Sequence, residues 1–111
     1  MELATISTIE LALNPKDLDK VPVTAAIYAI FEKPFHQPDQ LKCRFVGTAS
    51  NLKEVIDIHL SMRETNVSLR YFMISRKEKY LTYILTSDMD DSDVEMETRY
   101  WIKTFKPDCN S

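Results

Sequence analysis

From Thr24 to Phe31 the chain reads Thr-Ala-Ala-Ile-Tyr-Ala-Ile-Phe, an uncharged run between Pro22 and Pro34. A stretch this short and this apolar suits a strand buried in the middle of a sheet, with the prolines marking where the ladder stops. The rest of the fold has to be built around it. Leu41 to Val46 alternates apolar and basic residues and reads as a second strand, reached across a loop from Lys33 to Gln40 that holds two prolines, His36 and Asp39. Gly47, the sole glycine of the chain, is expected to end that strand, either at positive φ or where backbone packs closely on a helix.

Helices and further strands follow from period and punctuation. Ser50 reads as the cap of a helix to about Met62, with Leu52, Val55, Ile56 and His59 on one face. Leu69 to Ser75 and Tyr80 to Thr86 read as two strands joined by a charged hairpin tip, Arg76-Lys77-Glu78-Lys79. Ser92 and Glu95 form a capping box for a last helix from about Asp93 to Phe105, whose apolar face is Val94, Thr98, Trp101, Ile102 and Phe105. Ahead of the core, Glu2 to Leu13 fits a strand slightly better than a helix, and Asn14-Pro15 opens a short helical turn that Pro22 stops. The expected fold is α/β of the α+β type: a small central antiparallel or mixed sheet of three or more strands, flanked by helices. The whole chain, 1–111, forms a single domain, with its core at about 20–110 and an N-terminal extension at 1–19.

Charge narrows the function. Lys and Arg number 14 against 17 Asp and Glu, a net charge of -3, whereas proteins that grip phosphate backbones carry a clustered positive excess. No run approaches the roughly 20 apolar residues that span a bilayer, which points away from membranes and to a cytoplasmic address. Cys43 and Cys109 have no neighbouring ligands at zinc-site spacing and are expected to be reduced thiols. Asp88, Asp90, Asp91, Asp93 and Glu95 lack the turn glycine and closing glutamate of a calcium loop, so helix capping accounts for them.

Three pieces share an order: Ala26-Ile27-Tyr28 on the first core strand, Phe45-Val46-Gly47 running into Asn51-Leu52, and Tyr100-Trp101-Ile102-Lys103 followed by Lys106-Pro107-Asp108-Cys109-Asn110. In that order they resemble the GIY-YIG nuclease family, with its Gly-Ile-Tyr and Tyr-Ile-Gly strands, its Asn-Leu helix ending near a histidine, here His59, and its Lys-Pro-x-x-Asn tail. The resemblance implies metal-dependent hydrolysis of a phosphodiester, which needs a nucleophile activator, a cation on the scissile phosphate and a metal ligand.

Those requirements are met unevenly. Tyr28 keeps the first motif tyrosine, although a core tyrosine bonding its hydroxyl would look the same in sequence. Phe45 stands at the second motif tyrosine and can neither donate a hydrogen bond nor take a proton. Val55 stands where the family has its phosphate-holding arginine, and Thr98 where it has its metal-binding glutamate. Glu97 is one place off that register, about 100° round the helix, so that it faces solvent unless a π-bulge or a shifted helix start turns it inward. His59 is either a site residue or a satisfied core histidine. Gly47, Asn51 and Asn110 keep structural positions of the motifs. Arg70, Arg76, Lys77 and Lys79, with Tyr71 and Tyr80, form the one basic and aromatic patch able to hold a nucleic-acid strand.

The expected function is that of a GIY-YIG nuclease-like domain that has lost cleavage and serves as a binding module for protein or nucleic acid, with no cofactor. One alternative is an active endonuclease with a rearranged site of Tyr28, His59 and Glu97 on Mg2+ or Mn2+. Another is a structural, self-associating protein, using the aromatic edge around Tyr71, Phe72, Tyr80 and Tyr83.

Overall fold

The computed structural model describes residues 7–11, 15–33, 41–61, 63–75 and 78–110, with side chains described from Leu18 onward. Among these residues four strands, β1 (Ser7–Leu11), β2 (Ala26–Lys33), β3 (Lys42–Ala49) and β4 (Glu78–Leu85), form one antiparallel sheet in the order β1-β4-β2-β3. Three α-helices flank it: α1 (Leu52–His59), α2 (Val67–Ile74) and α3 (Asp91–Phe105). A 3-10 turn over Pro15–Lys20 follows β1. The α+β architecture expected from the sequence is therefore present, and the N-terminal extension contributes an edge strand, pairing Ile9 with Leu81.

The uncharged run becomes the central strand because side chains that alternate across β2 are buried on both sides. Ala26, Tyr28 and Ile30 point into a core with Leu52 and Ile56 of α1 and Leu69, Phe72 and Met73 of α2. Ile27, Ala29 and Phe31 point the other way, into a core with Cys43, Val46 and Trp101 of α3. A shift in pairing after Ile30, which faces Phe45 while Phe31 faces Cys43, leaves Arg44 as the extra residue of β3.

Several expectations need correction. Leu69 to Ser75 is not a strand: α2 occupies Val67–Ile74, and the Asn66 side chain caps it by accepting from Leu69 N–H at 3.1 Å. The aromatic and aliphatic composition favours strand, but Leu69, Phe72 and Met73 have the i, i+3, i+4 spacing of one helix face, and all three are buried. There is accordingly no hairpin tip; Glu78 and Lys79 begin β4, while Arg76 and Lys77 lie outside the described residues, as do Asn14, the loop 34–40 and Met62.

Gly47 does not end β3, which runs on to Ala49, and its φ is not positive. It sits opposite Tyr28 in the ladder, where a Cβ would come within 2.8 Å of both Phe45 Cε2 and Tyr28 Oη. Close approach is the reason for the glycine, but to two aromatic rings rather than to a helix. Asn51, not Ser50, caps α1, accepting from Glu54 N–H at 3.1 Å. Asp90, not Ser92, caps α3, which starts two residues earlier than expected. That helix ends at Lys106, in the left-handed region at φ 51°, just before Pro107.

Candidate functional site

The motif-matching residues converge under α1. Tyr28 on β2 projects toward the end of that helix, where His59 is its last residue, and the Tyr28 hydroxyl meets His59 Nε2 at 2.6 Å. Beyond the helix the chain turns back, so that Glu64 Oε1 bonds His59 Nδ1. With Glu64 a carboxylate, one proton arrangement satisfies every link: His59 is neutral with its proton on Nδ1, donating to Glu64, and Tyr28 O–H donates to Nε2. Phe45 closes the side of this chain, its ring centroid 6.0 Å from that of Tyr28 and 5.3 Å from that of His59. All three polar members are buried.

The chain of bonds continues into the scaffold. Glu64 Oε2 accepts from Asn66 N–H at 2.8 Å, and Asn66 Nδ2 donates to the Cys109 carbonyl at 2.7 Å while its Oδ1 caps α2. The C-terminal tail lies along the edge of β3. Asn110 Oδ1 accepts from Val46 N–H and its Nδ2 donates to Val46 C=O, both at 2.8 Å, so the side-chain amide replaces a neighbouring strand. Cys109 N–H adds a 2.7 Å bond to Arg44 C=O, and Asp108 pairs with the Arg44 and Lys42 side chains.

Burial sets the protonation of the site. It pushes the Tyr28 phenol far above the ordinary value, and the Glu64 carboxylate adds to the effect. Burial lowers His59 and outweighs the hydrogen bond and charge of Glu64, which favour the imidazolium. Burial alone would raise Glu64, but N–H donors from Asn66, His59 and Thr65 hold its carboxyl below the usual range. The result is a neutral phenol, a neutral imidazole and an ionised carboxylate near neutrality.

The remaining expected site residues are not brought together with this group. Val55 is half-buried against the α1 and α2 core. Thr98 donates its hydroxyl to the Val94 carbonyl of its own helix at 2.7 Å. Glu97 is not a solvated residue: it is 5% exposed and accepts from the Trp101 indole N–H at 3.0 Å. No π-bulge is involved, since α3 is regular; Val94, Trp101 and Phe105 face the core as expected, but Glu97 joins that face while Ile102 is exposed. Because Trp101 belongs to the core on the other side of the sheet, Glu97 is separated by the sheet from Tyr28 and His59.

The carboxylate expected to hold a divalent metal, Glu97, is bonded to an indole on the other side of the sheet from Tyr28 and His59. Among the described residues no group of three His, Cys, Asp or Glu side chains is placed to hold an ion. Of the expected basic patch, Arg76 and Lys77 lie outside the described residues, and Lys79 is 1% exposed, with Nζ 2.7 Å from the Ser75 carbonyl and 5.3 Å from the Phe72 ring centroid. Arg70 is half-buried on α2. Cys43 and Cys109 are free and buried, the Cys43 thiol pushed up to about 12 by burial.

Glu64 and Asn66 went unrecognised in the sequence. Asn66 carried a legible signal, an amide one residue before a helical period; Glu64 carried none, because only the turn after α1 brings it to His59. Comparison with family models, with curated proteins and with solved structures returns no match. No helix among the described residues is long and apolar enough to cross a membrane.

Proposed function

We propose that this chain is a GIY-YIG nuclease-like domain that has lost phosphodiester cleavage and acts as a binding module, with a protein as its partner. One observation carries the reading: the Tyr28 hydroxyl is enclosed by His59, Phe45 and the backbone at Gly47, with each polar atom of the Tyr28–His59–Glu64 chain bonded within the core. A hydroxyl that activates a nucleophile has to reach the attacking water beside the phosphate, and the enclosure of Tyr28 supports reading the motif as internal bracing. Phe45 and Val55 supply packing at positions where cleavage needs a phenol and a guanidinium. A protein partner is preferred to nucleic acid because of the acidic balance and the burial of Lys79.

A second reading, an active metal-dependent endonuclease, draws support from the order hydroxyl, imidazole, carboxylate, which is how enzymes activate a hydroxyl. Incubation of the purified chain with supercoiled plasmid and magnesium or manganese separates the two. The binding module leaves the plasmid intact, whereas nicking that a chelator stops and Tyr28→Phe abolishes establishes the enzyme. Retention on heparin at low salt, released steeply by added salt, would replace the protein partner with a nucleic acid.

A further inference from the structure

The sheet's second side offers what the motif side lacks, an open groove. It lies between Met89 and the α3 residues Asp93, Met96, Glu97 and Tyr100, and encloses about 650 Å³. Positions 93, 96, 97 and 100 share one helix face. Met96 is 67% and Tyr100 48% exposed, so the walls present apolar surface to solvent, and methionine adapts readily to varied apolar partners. Glu97 also lines the groove, a carboxylate held in place by the Trp101 indole N–H.

Charge identifies the occupant. From Asp88 to Glu97 the chain has six carboxylates and no basic residue. Asp91 and Asp93 suit the first turn of α3, but that does not account for Glu97, more than a turn further on. We propose that this groove docks a basic peptide segment of a partner protein, an apolar side chain seated between Met89, Met96 and Tyr100 with a flanking arginine or lysine over Asp93 and Glu97. A neutral or acidic segment would desolvate these carboxylates without compensation. A second copy of this chain would set acidic α3 surface against acidic α3 surface, and a nucleic acid would be repelled. The proposal rests on reading the domain as a binding module, yet the two fail separately, since plasmid cleavage does not depend on this groove.

The test uses the full chain and a fluorescein-labelled peptide of two leucines flanked by four arginines, followed by fluorescence anisotropy at low salt. Saturable binding is expected, about tenfold weaker when serines replace the leucines and lost when glutamates replace the arginines. Met96→Ser and Asp93→Asn, both at exposed positions, should each weaken binding about five- to tenfold while lowering the melting temperature by no more than about 5 °C. Amide shift changes should centre on residues 89–100. Absent binding, equal binding of the glutamate peptide, indifference to both substitutions, or shift changes centred elsewhere would overturn the proposal. So would concentration-dependent self-association abolished by Met96→Ser, which would assign the groove to a second copy.

Discussion

The two sides of the sheet handle buried polar groups in opposite ways. Beneath α1 and α2, Tyr28, His59 and Glu64 form a closed chain whose ends are tied to Asn66 and the C-terminal tail. Beneath α3, Glu97 has its bond to Trp101 but also faces an open groove. The difference teaches that polar residues which meet in one cluster need not lie where the surface is open: the Tyr28 side is packed shut, and accessible apolar and acidic surface lies on the α3 side.

Substitutions can break or sharpen this contrast. Glu64→Ala should cost the most, about 3 kcal/mol, because it strands a buried imidazole N–H and the Asn66 N–H together; urea unfolding measures it, and a loss below about 1 kcal/mol would mean that the chain is not bracing. Gly47→Ala should cost about 2 kcal/mol by forcing Phe45 and Tyr28 apart, since its Cβ would lie 2.8 Å from each. A neutral result in the same unfolding experiment would show that the rings have room to move. Tyr28→Phe keeps the ring and removes one buried bond, for about 1 kcal/mol.

Acid should act on the closed side and be graded. His59 is lowered from an ordinary value of 6.5 and Glu64 from 4.5, so the unfolded chain takes up protons that the folded one refuses. The stabilisation is complete above about pH 6.5, begins to fall as pH drops below that value, and falls further below 4.5 as the pH approaches the depressed Glu64 value. Melting temperature against pH should show the upper portion flattened in His59→Gln; an unchanged profile would place the titration elsewhere. Smallest of all, Met96→Ser on the open side should shift stability by no more than about 0.5 kcal/mol, as expected of an exposed position. A larger loss would make the groove part of the core.

Local pattern was enough for much of this fold. The uncharged run gave β2, the alternation at 41–46 gave most of β3, and the spacing of Leu52, Ile56 and His59 gave the buried face of α1. It misled at α2, where side chains common in strands lie at helical spacing, and at α3, where counting Ile102 as an inward residue beside Trp101 centred the expected stripe on the side away from Glu97. The first error arises because composition and period compete when a segment is short, the second because an apolar side chain need not be a buried one, and the three-dimensional core decides both.

What the sequence by itself determined is the kind of β2, β3, β4, α1 and α3, the inner place of β2, and the absence of a phenol at 45 and a guanidinium at 55. Tertiary structure alone decided that Glu64 meets His59, that Asn110 replaces a strand beside Val46 across 64 positions of sequence, and that Glu97 lies beyond the sheet from Tyr28. Period and capping are properties of neighbours along the chain. Convergence of polar groups depends on where the chain turns back and which face each helix lays on the sheet, and these are set by burying the whole core at once.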